Sequence, residues 1–495
     1  MRLQEVIADL FVLRSWGLGE QEVTGISYDS RAVRPGDLSV ALKGATFDAH
    51  DAIGSALAAG AVAVLGTDAT KLAAAPAWIC VEDSRRALGI ASNALFRRPG
   101  MGMQLVGFTG TNGKTTSTYL LEHGLTACGV ACGVVGTVEA RYGAVREKVG
   151  FTTPEAPVLC GVLARMRDAG VDAAITEVSS HGLALHRVDG LDFAVGVFTN
   201  LSQDHLDFHG NMEEYGEAKA RFFSQVLPES RNLVGAVLNL DDPWGGRIAG
   251  RLSYPYLTYG IDEPADVRAE DLRFGIDGVQ FSAVGPWGVL GVTSKLVGRH
   301  NIYNLLATLT TVHLLGEDVA EAAAGLARLA TIPGRLEAVE NPFGMGIWVD
   351  YCHTPDALEK VLSALREVVP NRLITIIGAG GDRDRRKRPE MGAQAEKYSD
   401  LVVVTSDNPR TEAPLSIIDD ILSGLSPEFR FSKTLVIPSR ALAIQAAIGI
   451  AGEGDGILVG GKGHENYQII GETVHTFDDR EVVQSAISAL EALTR

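Results

Sequence analysis

The chain has 495 residues, 46% of them apolar and 21% charged, with a formal net charge of −17. That length suggests about three domains, each large enough to bury a core of its own. The acidic balance argues against non-specific binding to nucleic acid or insertion at an anionic membrane, so an anionic ligand has to be met locally by Arg, Lys, a metal or a helix N-terminus.

The first stretch, "MRLQEVIADLFVL", places Glu5 and Asp9 inside an apolar pattern. It predicts an amphipathic helix rather than a secretory signal. No run of about 18 apolar residues follows, so no membrane span is expected. The five cysteines, Cys80, Cys128, Cys132, Cys160 and Cys352, are odd in number and scattered. They suit reduced thiols and a cytoplasmic location. Cys128 and Cys132 are spaced to share a helix face, but no second Cys or His pair completes a zinc site, and they read as small core residues.

Pro/Gly punctuation at 97–103 and 331–335 predicts two boundaries, giving segments 1–98, 99–330 and 331–495. In the first, residues 37–42 and 61–66 read as strands, and 53–60 as a helix ending at Gly60. In the second, apolar strands at 104–110, 173–180, 194–201 and 235–242 alternate with helical stretches. In the third, 373–381, 401–409 and 455–463 repeat that logic. Strands that are apolar throughout, alternating with helices, predict α/β domains built on parallel sheets. Ligands in such sheets sit at the carboxyl ends of the strands, and there the unusual residues lie.

One such end carries "GFTGTNGKTT" at 107–116. It is a shortened phosphate loop, with Phe108 where the usual first Gly stands and a Gly moved inward to 110. Gly110 and Gly113 let backbone N–H groups curl around phosphate oxygens, and the following helix adds its positive end. Lys114 can reach the terminal phosphates and the Thr115 hydroxyl can ligate Mg²⁺. Glu177, ending the next strand, is a candidate magnesium carboxylate or equally a solvated strand end. Asp204, His205 and His209 follow the third strand. His205 and His209 could face one way on a helical turn, which alone is a weak metal signal.

Taken together, "GTNGKTT", "EVSSHGL", "TNLSQDHLDFHG", "YGEAKARFF", "GRHNIYN", "PGRLE" and "DYCHTPDAL" resemble, in order and over nearly the whole chain, the ATP-dependent Mur ligases of peptidoglycan synthesis. The resemblance implies a UDP-binding N-terminal domain, a central P-loop ATPase-type domain and a Rossmann-like C-terminal domain. ATP would phosphorylate the side-chain carboxylate of D-Glu in UDP-N-acetylmuramoyl-L-Ala-D-Glu, and an amine would attack the acyl phosphate. It assigns ATP to Gly110, Thr111, Asn112, Gly113, Lys114, Thr115, Thr116 and Asn301. It assigns two Mg²⁺ ions to Thr115, Glu177, His205 and Lys219, the last as a carbamate (N6-carboxylysine). Without that context Lys219 would read as a solvated helix lysine.

By the same resemblance, Tyr28 and Ser30 touch the uridine moiety, with 44–47 nearby, while Thr152, Thr153, Ser179 and Arg187 contact the muramoyl-dipeptide. Leu185 and Cys352 depart from the pattern, standing where Gln and Ala are usual. "SDNPRTEAP" matches the motif of the diaminopimelate-adding members. It implies that Arg410 binds the distal carboxylate of meso-diaminopimelate bidentately, a group that lysine lacks. Asp407, Asn408, Pro409, Arg388, Gly461 and Glu465 complete that pocket, and Glu465 could receive the distal ammonium. A monomer is expected. Lysine-adding or folylpolyglutamate-type ligases, a regulatory P-loop ATPase and a catalytically dead binding module are the rival readings.

Overall fold

The computed structural model describes residues 1–44, 47–275 and 278–494. Its chain forms two compact units, each discontinuous in sequence. The first holds residues 1–201, 205–267 and 307–322, and the second holds 202–204, 268–306 and 323–495.

The first unit contains two sheets with separate cores. The N-terminal sheet runs Val12–Trp16, Trp78–Val81, Ala63–Gly66, Asp37–Val40, Gly25–Ser27. Its first pair is antiparallel and the rest are parallel. Leu38, Val40, Ala63, Leu65 and Ile79 pack on Leu3, Val6, Leu88 and Ala91 to form its core. The expected helix over 1–13 is largely absent. Only Leu3–Val6 is helical, and Val12–Trp16 is an edge strand. Hydrogen bonding to Trp78–Val81 claims these residues, and pairing overrides a local helical pattern.

The second sheet of this unit places Gln104–Thr109 between Ala173–Glu177 and Val195–Phe198, with Cys132–Val135, Gly235–Asn239 and Tyr256–Gly260 outside them. These six strands are parallel. The chain leaves Gln104–Thr109 through the helix Lys114–Ala127 and returns at Cys132–Val135, one strand removed. Gln104–Thr109 is therefore flanked by strands that come later in sequence, the arrangement that opens a crevice at the carboxyl ends.

The second unit is built on a sheet ordered Glu337–Ala338, Gly346–Asp350, Gly456–Gly460, Leu373–Ile377, Leu401–Val404, Thr434–Val436. All pairs after the first are parallel. Alternate residues enter opposite cores. Trp348, Leu373, Ile377, Val402, Val404 and Leu458 face one, and Ile347, Val349, Ile374, Ile376, Val403 and Ile457 the other. A strand with both faces buried reads as an unbroken apolar run, which is why these strands were visible in the sequence.

Cys128 and Cys132 do not share a helix face. Cys128 caps the helix Lys114–Ala127, and Cys132 opens the next strand. All five cysteines are free thiols. Among the described residues, no helix is long and apolar enough to cross a membrane.

Candidate active site

The phosphate loop joins Gln104–Thr109 to Lys114–Ala127. Gly110 has φ +150° and Gly113 φ +88°, values an L side chain rarely adopts. A Cβ on Gly110 would also stand 1.9 Å from Thr199 Oγ1. The loop is pinned from the neighbouring strand end. Asn112 N donates to Asn200 Oδ1 at 3.0 Å, Thr111 N to Asn200 O at 2.8 Å, and Thr199 Oγ1 to Asn112 O at 2.7 Å. Thr111 Oγ1 lies 3.1 Å from Tyr215 OH. Lys114 curls over its own loop and donates to Gly110 O and Thr111 O, each at 2.9 Å.

Helix and strand order bring Thr115 and Glu177 together. Thr115 Oγ1 is 3.1 Å from each carboxylate oxygen of Glu177, which is 1% exposed. Thr137 completes the cradle, donating its N–H at 2.8 Å and its hydroxyl at 3.0 Å to Glu177. Glu177 is thus no solvated strand end. Thr116 is buried in the first helical turn.

Lys219, on the helix Met212–Arg221, is 2% exposed. Its Nζ donates to Gly110 O at 2.7 Å and lies 4.4 Å from the Tyr215 ring centroid. His205 caps the short helix Leu206–His209 with φ +53°, and its ring stacks edge-on at 4.8 Å against His181. His209 lies 5.6 Å from the same ring and bonds Ser180 Oγ at 2.9 Å. Burial first, then the charges of His181, Lys219 and His205, push the His209 pKa down to about 4. His181, Asn200 and Tyr215 lie inside "EVSSHGL", "TNLSQDHLDFHG" and "YGEAKARFF" but, like Thr137, are not among the expected site residues. Nothing in their local spacing marks them.

Thr152 Oγ1 reaches Thr137 Oγ1 at 3.0 Å. Thr153 Oγ1 donates to Glu177 O at 2.8 Å and accepts from Ser179 N at 2.9 Å. Arg187 donates to Thr153 O and pairs with Glu155 at 2.7 Å. Tyr28 and Ser30 lie in the turn after Gly25–Ser27. Burial of Tyr28 and the nearby Glu155 carboxylate raise its phenol above the ordinary value. A cleft of about 540 Å³ opens beside the carboxyl ends of the N-terminal strands, lined in part by Lys43, Thr67, Glu82, Ser84 and Arg86. Of the stretch 44–47, Ala45 and Thr46 lie outside the described residues.

In the second unit, Asn301 Nδ2 donates to Val297 O at 2.8 Å and Asn301 Oδ1 accepts from Asn304. The loops after Leu401–Val404 and Gly456–Gly460 bring 407–410 beside 461–465. Asn408 Nδ2 donates to Glu465 Oε2 at 2.8 Å, and Gly461, at φ +115°, places its Cα side against Asp407. Arg410 follows Pro409 with φ +51°, and its Nη1 donates to Gly381 O at 2.7 Å. Arg388 is fully buried and binds Glu412 and Asp420 at 2.8 Å each, and Gly380 O at 3.1 Å. It holds the loop that Arg410 touches. Cys352 is buried against Asp350, whose carboxyl burial pushes upward.

Three family signatures match this chain. "Mur ligase family, catalytic domain" covers residues 22–99, "Mur ligase middle domain" 108–312, and "Mur ligase, glutamate ligase domain" 334–463. The chain belongs to the Mur ligase family. Among its relatives is the UDP-N-acetylmuramoyl-L-alanyl-D-glutamate–2,6-diaminopimelate ligase of Geobacter metallireducens, 42% identical over 99% of each chain. The protein of that name from Gloeobacter violaceus is 44% identical over 99% of this chain and 98% of its own. A solved structure bearing the same enzyme name superposes with TM-score 0.73 at 34% identity, covering 99% of both chains. The MurF ligase of Thermotoga maritima in complex with ADP shares the fold, with TM-score 0.59 at 22% identity over 94% of this chain and 96% of that one.

Proposed function

We propose that the chain is the ATP-dependent ligase that joins meso-2,6-diaminopimelate to the D-Glu side-chain carboxylate of UDP-N-acetylmuramoyl-L-Ala-D-Glu in peptidoglycan precursor synthesis. The observation that carries the reading is the convergence of Lys114, the Thr115–Glu177 pair and Lys219 on one glycine-bent loop. The reading takes the segments 1–98, 99–330 and 331–495 as UDP-sugar, ATP and amino-acid domains of a cytoplasmic monomer.

In this mechanism Lys114 leaves Gly110 O and Thr111 O to meet the terminal phosphates of ATP. The loop amides and the helix N-terminus hold the remaining oxygens. The substrate carboxylate attacks the γ-phosphorus, the bond to ADP breaks, and an acyl phosphate forms. The amine of diaminopimelate then attacks the carbonyl carbon, loses a proton, and expels phosphate. Holding the amine beside the acyl phosphate makes this step effectively unimolecular. Thr153 and Ser179, fixed to each other at 3.1 Å, and Arg187 orient the muramoyl-dipeptide.

A hydroxyl and a carboxylate at one locus suit Mg²⁺, which prefers oxygen ligands and keeps several waters or phosphate oxygens. Thr115 and Glu177 would hold one ion, and His205 with the Lys219 carbamate a second. When bound, the ions neutralise charge on the phosphates. Among the described residues no three His, Cys, Asp or Glu form a group that could hold a metal ion by themselves. As a carbamate, Lys219 would present oxygen ligands beside the loop whose Gly110 O its ammonium now bonds at 2.7 Å.

The test is phosphate release. It is expected only when ATP, the UDP-dipeptide and meso-diaminopimelate are all present. Full-rate release with ATP alone would make the chain a regulatory ATPase instead.

A further inference from the structure

One group within the 461–465 loop, facing 407–410, has no part in the reaction described so far. Lys462 is fully buried. Its Nζ donates to Glu465 Oε2 at 3.0 Å and Asn408 Oδ1 at 3.3 Å, and pairs with Asp407 Oδ1 at 3.5 Å. The Tyr467 ring lies 5.3 Å away. All three polar partners are residues assigned above to the diaminopimelate pocket.

The arrangement fixes both charge and direction. Lys462 neutralises one of two neighbouring carboxylates, Asp407 and Glu465. Two other buried cations, Arg440 and Arg388, are already matched, Arg440 by Asp479 at 2.7 Å and Arg388 by Glu412 and Asp420 at 2.8 Å each. One negative charge is left over. It complements the ammonium of an amino-acid head whose carboxylate goes to Arg410. Direction follows from which oxygen is engaged. Lys462 and Asn408 both donate to Glu465 Oε2, while Oε1 receives Tyr467 OH at 3.3 Å. The carboxylate is thereby turned with one oxygen held and the other open to a donor.

The geometry points to Lys462 as a positioning residue for amine-substrate specificity, which aims Glu465 and leaves one carboxylate charge of the Asp407–Glu465 pair unmatched beside Arg410. This rests on the reading of 407–410 and 461–465 as the amino-acid pocket. A buried ammonium among three pocket side chains is not needed for packing, since an apolar side chain of the same length would fill the space. Its removal would leave two carboxylates facing each other without a cation.

The test is steady-state kinetics of Lys462→Met. The KM for meso-diaminopimelate is expected to rise about 10-fold or more, with the KM values for ATP and the UDP-dipeptide within about two-fold of wild type. An unchanged diaminopimelate KM in a folded variant overturns the proposal, as does an equal rise in all three constants. If the single variant does not fold, Lys462→Met/Asp407→Asn removes the charge conflict. It is expected to fold and still show the raised diaminopimelate KM, because Glu465 has lost its anchor. A wild-type KM there overturns the proposal. Arg410→Ala run alongside separates the two claims. If it raises the diaminopimelate KM and Lys462→Met does not, only the role of Lys462 fails. If neither moves it, the pocket reading itself fails.

Discussion

Thr115 Oγ1 stands 3.1 Å from both carboxylate oxygens of Glu177, tying the first turn of the phosphate-loop helix to the end of the adjacent parallel strand. The pairing explains why a carboxylate is buried there at all. It accepts from Thr115 and twice from Thr137, so its negative charge is held in place by three donors. Glu177→Gln keeps the size and removes the charge. The turnover number is expected to fall about 10²-fold or more, with little change in the KM for the UDP-dipeptide. Phosphate-release kinetics check this, and a turnover within a few-fold of wild type would remove Glu177 from the metal site.

Lys219→Ala should abolish ligation. Short carboxylic acids should partly restore it, because they can supply the oxygen ligand that a carbamate would. Mass measurement of the native protein should find one added CO₂ at Lys219. Full activity in the Ala variant, without rescue agents, would sink the carbamate role.

Arg410→Ala should raise the KM for meso-diaminopimelate far more than that for ATP, since the guanidinium proposed to bind its distal carboxylate would be gone. Its left-handed backbone, φ +51°, and its bond to Gly381 O hold the side chain in one direction. Equal KM values before and after would count against it.

The Arg388–Glu412 pair yields a stability prediction with a defined sign. Arg388 beside Glu412 holds the carboxyl at about 2, against an ordinary value of 4.5. The folded state thus binds fewer protons than the unfolded state between those values. The stabilisation is fully present above pH 4.5 and is lost as pH falls toward 2. Glu412→Gln should cost about 2 kcal/mol at pH 7, as expected for a hydrogen bond to a charged group. The gap between variant and wild type should narrow below pH 4.5. Urea unfolding of both proteins at pH 7 and pH 3.5 measures it, and a gap independent of pH would assign the loss to packing.

The parallel strands and their functional ends were legible because doubly buried strands write continuous apolar runs and the glycines and Lys114 punctuate them. The N-terminal stretch misled because Phe11, Val12 and Leu13 fit a helical period, while the hydrogen bonds that make Val12–Trp16 a strand come from residues 78–81. The site was legible where motif residues meet around the loop, as Thr115 meets Glu177 and Lys219 meets Gly110 O. It was illegible where support comes from afar. Thr137 reaches Glu177 across 40 residues, Tyr215 reaches Thr111 across 104, and Lys462 meets Asn408 across 54. Arg388, which the resemblance puts in the diaminopimelate pocket itself, binds Glu412 and Asp420 and holds the neighbouring loop through Gly380 O.

The most direct test of the central claim is phosphate release with ATP, Mg²⁺ and UDP-N-acetylmuramoyl-L-Ala-D-Glu, comparing meso-diaminopimelate with L-lysine as the amine. Release with diaminopimelate and little with lysine is the predicted result. Release with lysine in preference would contradict the role given to Arg410 and Glu465, and release with neither amine would contradict the ligase assignment itself.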